Sequence, residues 1–435
     1  MAITASAADI GAAQTHRIGA IAFAGAIGTI IEWYDFLIYG TAAALVFNSL
    51  FFPNADPRIG TLAALGTFTV GFLARPVGGA IFGHFGDRLG RKSMLMLTMI
   101  GMGVSTAAIG LLPTYAQIGI WAPVLLVLLR VVQGISLGGE WGGASLMVLE
   151  HAPAHRRGVF GSLVQVGFPI GLVSASAVFS LVSLLPDADF KSWGWRIPFL
   201  LSVLLIGVGL FVRARLPETP VFEAIKARGQ IVRSPFLEVL KDPRSFFVAT
   251  GLKLSEVSWV YMLTIFVVVY ATTKLGLPRS LLLNAILIAA LTEVITIPLF
   301  GHLSDRYGRR VLYFAGVAFT IVFAFPLFWL LDMKTAAIVI LTVVIALNFG
   351  HGLMFAPEST YFPELFGPQV RYSGASLGFQ VAAAIGGGFA PIIAAALAVY
   401  TGGTAGVSIM LILLALVTLV AALFARETKG EALLK

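Results

Sequence analysis

The chain has 435 residues, 58% of them hydrophobic and only 11% charged, with a formal net charge of +8. An ordinary soluble domain carries about 25% charged residues, so this composition excludes a soluble globular protein and leaves a polytopic helical membrane protein. The absence of Cys removes disulfides, thiolate metal sites and cysteine nucleophiles, and the basic excess reflects topology rather than nucleic-acid binding.

The N-terminal segment through Arg17 is short and polar. The apolar run after it contains Glu32 and Asp35 and lacks a cleavage-type ending, so it reads as a retained first span rather than a signal peptide. About twelve apolar stretches follow one another, near 18–45, 60–82, 93–112, 122–148, 158–184, 196–212, 246–270, 281–301, 311–331, 335–361, 373–399 and 405–425. Each approaches the ~20 residues that cross a hydrocarbon core of about 30 Å. At 213–245 the sequence turns polar ("RARLPETPVFEAIKARGQIVRSP") and contains Pro217, Pro220, Pro235 and Pro243. This segment reads as a linker with short surface helices, between six-span halves at 1–212 and 246–435. Loops on the N-terminal side carry 20 of the 29 Lys and Arg, the opposite loops carry six, and Arg75, Arg130 and Lys253 fall inside spans. The positive-inside rule then places both termini in the cytoplasm.

The halves repeat each other. "GHFGDRLGRK" (83–92) returns as "GHLSDRYGRR" (301–310), 218 residues later. The same offset carries Asp35 onto Lys253, Arg75 onto Glu293, Arg130 onto Asn348, Gln133 onto His351 and Glu140 onto Glu358. The spacing 0, +3, +10 shared by Arg130/Gln133/Glu140 and Asn348/His351/Glu358 keeps each triplet within an arc of roughly 80° on a helix. Ionisable groups inside a membrane are costly and mark pathways or relays. Matched sets in a duplicated chain therefore point to a central cavity between the repeats. For any one such residue, interhelical packing or snorkelling is the competing reading.

"GHFGDRLGRK" resembles the signature between the second and third helices of the major facilitator superfamily, and "RVVQG" (130–134) resembles its fourth-helix motif. "EWYDFLIYG" (32–40), "FLARPVGG" (72–79), "GGEWGGAS" (138–145), "WGWRIPF" (193–199) and "VRYSGASLGFQ" (370–380) narrow the resemblance to the metabolite:proton symporter family. That family carries shikimate, 2-oxoglutarate, citrate, or proline and betaine. The match covers nearly the whole chain and is strongest with the shikimate-carrying members, from which Glu32, Lys253, Glu293 and Glu358 depart. It implies an all-α fold of about twelve transmembrane helices in two pseudo-symmetric halves. It further implies a monomeric, multi-pass carrier in a bacterial inner membrane, with no cofactor but the proton as coupling ion.

For substrate binding, Arg130 supplies a two-pronged hold on a carboxylate and Lys253 a second, more mobile charge. Gln133, Gln165, Asn348 and Gln380 offer neutral donors and acceptors. His351 stands between a relay and a packing role, and Tyr34, Tyr39, Trp141, Trp259 and Tyr261 are candidate walls. For coupling, the carboxylates Glu32, Asp35, Glu140, Glu256, Glu293 and Glu358 outnumber the three intramembrane cations, so some must be protonated for part of a cycle. Glu32 and Asp35, one turn apart, are the first candidates. For a gate, the resemblance points to Asp87, Arg88, Arg91 and Lys92 with their copies Asp305, Arg306, Arg309 and Arg310. These read as charged loops in which Gly83, Gly86 and Gly90 permit tight helix ends.

The leading expectation is proton-coupled uptake of a small organic acid, shikimate or a related carboxylate. The alternatives are an osmolyte symporter of the proline/betaine kind, or a carrier of the 2-oxoglutarate or citrate type. A drug antiporter fits less well, because "GFPIG" (167–171) is not the full GxxxGPxxGG pattern. An enzyme is remote, because HExxH, GxSxG, GxxxxGK[ST] and clustered metal ligands are absent from the sequence.

Overall fold

The computed structural model describes residues 7–53 and 57–434, without the side chains of 7–17, 57–62, 64 and 65. Lys435 and the side chains of the polar N-terminal segment through Arg17 lie outside the described residues. Eleven helices among the described residues are long and apolar enough to cross a membrane: α1 (Ile18–Phe51), α3 (Arg91–Leu111), α4 (Trp121–His151), α5 (Ala154–Val182), α6 (Gly194–Ala214), α7 (Pro243–Thr273), α8 (Arg279–Tyr307), α9 (Arg309–Asp332), α10 (Ala336–Glu364), α11 (Arg371–Tyr400) and α12 (Ala405–Phe424). The expected second span is occupied by a further helix, α2 (Pro57–Leu89). Short helices at Pro220–Ala227 and Pro235–Lys241 interrupt the polar linker. Thr219 caps the first of them by accepting from Phe222 N at 3.3 Å.

Helix packing follows the duplication. Within the N-terminal half α4 packs on α2 and α3, and within the C-terminal half α7 and α9 pack on α12. The two halves meet mainly through α2 against α11 and, in the matching arrangement, α8 against α5. Small residues make the first contact possible. A Cβ on Gly83 would stand 2.6 Å from Ser373 Cα, and one on Gly86 would stand 2.1 Å from the Tyr372 ring. These glycines therefore serve close helix approach, and the reading of tight helix ends at Gly83 and Gly86 is corrected. Residues 83–89 and 301–307 are helical, so each expected charged loop shrinks to a single glycine between two helices. Those glycines, Gly90 and Gly308, have φ of 113° and 109°, a region that residues with a Cβ avoid.

Four spans contain π-helical turns, at Ala43–Phe47, Met262–Phe266, Ala346–Gly352 and Ala384–Phe389. The third carries Asn348 and His351. A π turn rotates the residues beyond it relative to a regular helix, so the triplet in α10 does not reproduce the geometry of the triplet in α4.

Candidate functional site

The decapeptides build a pair of matched locks at one end of the bundle. Asp87, at the end of α2, accepts from Tyr372 N at 3.2 Å and from Ser373 N and Oγ at 2.9 and 2.8 Å, while its own Arg91 stands at 3.2 Å. Asp305, at the end of α8, accepts from Gly158 N at 2.7 Å, Val159 N at 2.9 Å and Arg309 at 2.8 Å. Each aspartate thus caps the first turn of a helix in the other half, where free N–H groups and the helix dipole favour an anion.

A second layer repeats the logic. Glu150 on α4 lies 3.7 Å from Arg91 and 3.6 Å from Arg371 of the opposite half. Glu364 on α10 lies 3.6 Å from Arg309 and 3.7 Å from Arg157 of the opposite half. Glu218 accepts from the backbone N of Arg91 and Glu427 from that of Arg309, at 3.1 and 2.9 Å. Lys92 and Arg310 secure the same corners by donating to Ala214 O at 2.7 Å and Ala422 O at 3.1 Å. Arg88 and Arg306 are exposed in this conformation and stand outside the locks. Glu150, Glu218, Glu364, Glu427, Arg157 and Arg371 were not found among the gate candidates.

One layer further in, three expected substrate contacts join the halves instead. Gln165 donates to Phe355 O at 3.0 Å, and Gln380 donates to Gly138 O at 3.2 Å. Each glutamine thereby ties the spanning helix of one half to the backbone of the other. Trp141 donates to Gln165 Oε1 at 2.9 Å and stacks on Phe379 at 3.9 Å.

The N-terminal half holds a linear relay. Arg130 donates to Gln133 Oε1 at 2.6 Å, Gln133 to Thr106 Oγ1 at 2.7 Å, and Thr106 to Asp35 Oδ2 at 2.9 Å. Ser202 donates to Asp35 Oδ1 at 2.5 Å. The Arg130 guanidinium lies 4.0 Å over the Tyr39 ring and 5.0 Å from the centre of Phe36. It is fully buried, yet its Nε and Nη2 have no hydrogen-bond partner among the described residues. Arg75 lies 4.4 Å over the same Phe36 ring. Within its electrostatic reach, Glu32 Oε2 and Tyr261 Oη are buried without a partner among the described residues. Tyr39 donates to Thr67 at 2.6 Å, and Tyr34 is committed to Pro198 O at 2.9 Å within its own half, which removes its hydroxyl from any substrate contact here.

Glu140 is not among the unpaired acids. It forms a two-pronged pair with Arg213, at 2.9 Å on one side and closer on the other, and accepts from Thr98 at 2.9 Å. The sequence reading had assigned Arg213 to the linker, but α6 extends through Ala214 and buries it. The count of three intramembrane cations is therefore corrected by this fourth one.

The C-terminal half holds a branched network. Lys253 pairs with Glu256 one turn away and with Glu358 at 2.8 Å. His351 bridges Glu256 at 2.9 Å and Glu293 at 2.6 Å. Asn348 donates to Thr292 at 2.7 Å and accepts from Thr296 at 2.5 Å, so α8 occupies it rather than the interface. Trp259 donates to Ala346 O at 2.8 Å, a packing role.

A family model described as the Major Facilitator Superfamily matches residues 25–387. The shikimate transporter of Escherichia coli K12 is 43% identical over 430 residues, covering 97% of each chain. The proline/betaine transporter of the same strain is 35% identical over 427 residues, covering 94% of this chain and 84% of that one. A solved structure of the proton:xylose symporter XylE matches with a TM-score of 0.74 at 18% identity, over 97% of this chain and 98% of the other, a likeness of fold. With matched locks and matched glutamines arranged about the junction of two six-helix halves, buried charges inside each half, and relatives across almost the full length, this chain belongs to the major facilitator superfamily and is a multi-pass membrane transporter of small molecules.

Proposed function

We propose that this transporter carries a small organic acid, shikimate or a related carboxylate, into the cell together with protons, by alternating access. It lies in the bacterial inner membrane with both termini cytoplasmic, and it works as a monomer. The observation that carries the reading is Arg130: a buried guanidinium within the N-terminal half, with two nitrogens unengaged and no acid in ion-pair contact among the described residues. Arg213 and Lys253, by contrast, already hold carboxylates. Leaving charged donors unpaired in a low-dielectric setting is costly, and an arriving carboxylate supplies the missing acceptors in the fork geometry that Arg prefers. The relay from Arg130 through Gln133 and Thr106 to Asp35 then joins substrate binding to a buried carboxyl that has hydroxyl donors but no cation in contact among the described residues. When a substrate carboxylate draws the guanidinium away from Gln133, the donors that Asp35 relies on are disturbed, and the proton balance at Asp35 shifts with them.

A zwitterionic osmolyte would present its cation to aromatic faces beside an acid. Here Arg75 and Arg130 already cover the Phe36 and Tyr39 rings, which favours an acid. Uptake of shikimate, 2-oxoglutarate, citrate and betaine into proteoliposomes under an imposed pH gradient tests the reading. Accumulation of betaine alone would defeat it.

A further inference from the structure

The C-terminal network contains more acid than base. Glu256, Glu293 and Glu358 share it with Lys253 and His351, and all five side chains are nearly inaccessible to solvent. Even with both basic groups charged, one negative charge is unbalanced, and an unbalanced buried charge inside a membrane is strongly unfavourable. An organic acid entering this network would add a second unbalanced negative charge unless a proton entered with it.

We infer that Lys253 and Glu358 form an exchange site, in which an acid group of the substrate takes the place of Glu358 on the Lys253 ammonium and Glu358 takes up a proton. This rests on the organic-acid symport proposed above and assigns a second proton to it, separate from the one at Asp35. The ion pair between Lys253 and Glu358 breaks, a pair between Lys253 and the substrate carboxylate forms, and one proton passes from solution to a Glu358 oxygen. No electron moves. The acid group that reaches Lys253 adds one negative charge and the proton one positive charge, so the buried network keeps its net charge. Binding of either alone would change that charge, and this makes the two bind together.

Geometry singles out Glu358 as the acid that leaves. Glu256 is held from two sides, by Lys253 and by His351. Glu293 has an unpartnered oxygen among the described residues, but it is held by His351 at 2.6 Å and makes no contact with Lys253, so it has no place to give up on the ammonium. Glu358 has the Lys253 contact and a long 3.5 Å approach from Gln165 Nε2, while its Oε1 has no partner among the described residues. Across from it the Tyr313 hydroxyl of α9 is also buried and unpartnered, and Glu32 of α1 lies within electrostatic reach of Lys253. The ammonium is steadied by more than its acids. It sits 4.1 Å over the Phe379 ring and 5.1 Å over Phe355, faces that attract a cation and that hold it in place while one carboxylate replaces another. Glu358 also lies at the junction of the halves, beside the Gln165 bond to Phe355 O. Neutralising it acts where the halves are joined.

The test is a proton count. Purified wild-type protein and the Glu358→Gln, Glu358→Asp and Glu293→Gln variants are mixed with shikimate, and separately with 2-oxoglutarate, in weakly buffered solution containing a pH indicator. The expected result is that Glu358→Gln takes up one proton fewer per acid bound than wild type. Glu358→Asp restores the count, and Glu293→Gln keeps it. A purely structural role for Glu358 would lower the amount of acid bound without changing protons per acid. An unchanged count in Glu358→Gln, with pH-driven uptake by the wild type intact, overturns the exchange site and leaves the symport reading standing. If wild type binds acid with no proton uptake at all, both fall together.

Discussion

Asp87 and Ser373, 286 residues apart in sequence, are joined by two hydrogen bonds of 2.9 and 2.8 Å across the junction of the halves. Asp305 makes the matching contact with Val159 at 2.9 Å. Both bonds must break before the halves can part at that end, so they belong to one conformation of the cycle only. We expect Asp87→Asn, which keeps the shape but loses the charge facing the helix terminus, to slow transport at least tenfold with little change in ligand affinity. Single cysteines placed at the opposite end of the helix bundle of this Cys-free chain should change their labelling rate. A pure loss of affinity with unchanged labelling would argue against a lock.

Arg130→Lys should already weaken transport, because an ammonium cannot reproduce the planar fork. Arg130→Ala should cost more than the roughly 1.5–3 kcal/mol of a charge-assisted hydrogen bond, since the substrate carboxylate, dehydrated in the cavity, would lose both prongs of the guanidinium and keep only the Lys253 ammonium. That corresponds to at least about a tenfold to hundredfold loss of affinity. An analogue with a neutral amide in place of the carboxylate should lose far less, so a cycle of residue against ligand isolates the contact. Equal losses for acid and amide would remove Arg130 from the binding site.

Asp35→Asn should abolish accumulation driven by a pH gradient while exchange of acid across the membrane continues. Thr106→Val, which removes the link between Gln133 and Asp35, should weaken the coupling without abolishing it. Both are measured by comparing gradient-driven uptake with counterflow in the same vesicles. Normal concentration of substrate by Asp35→Asn would refute the assignment.

Glu140 should behave as structure rather than as a coupling group. Glu140→Ala leaves Arg213 buried without its acid, a change that costs about 3–5 kcal/mol, and thermal unfolding in detergent should show it. Replacing both residues by apolar side chains of similar size should recover most of that loss. A Glu140→Gln variant of ordinary stability that had lost proton coupling would return Glu140 to the coupling set.

Much of this was legible in the sequence because one offset holds from Asp35 and Lys253 as far as Glu140 and Glu358. The offset of 218 aligns Asp87 with Asp305 and also Leu137 with Phe355, whose carbonyl oxygens lie 3.5 and 3.0 Å from the two bridging glutamines. Past Glu140 and Glu358 the offset changes within the helices themselves. Glu150 and Glu364 are 214 apart, as are Arg157 and Arg371, and Glu218 and Glu427 are 209 apart. A search held at one offset therefore missed the outer layer of the locks, although "PET" (217–219) and "RET" (426–428) carried the signal. Arg213 was misplaced because hydropathy ends a span at its last apolar residue, whereas an arginine can extend the helix and fold back onto an acid. The offset makes Asn348 and His351 copies of Arg130 and Gln133, and the π turn that redirects them leaves no mark in residue spacing. Which side chains of a buried cluster pair with one another is decided by packing across helices, and sequence separation says little about that.

The most direct measurement is uptake of labelled shikimate by proteoliposomes containing wild-type or Arg130→Ala protein, with the interior alkaline or at equal pH. The account predicts that wild-type vesicles concentrate shikimate above the external level only while the interior is alkaline, and that Arg130→Ala vesicles do not concentrate it under either condition. Accumulation by the wild type without a gradient, or undiminished accumulation by the Arg130→Ala protein, would contradict it.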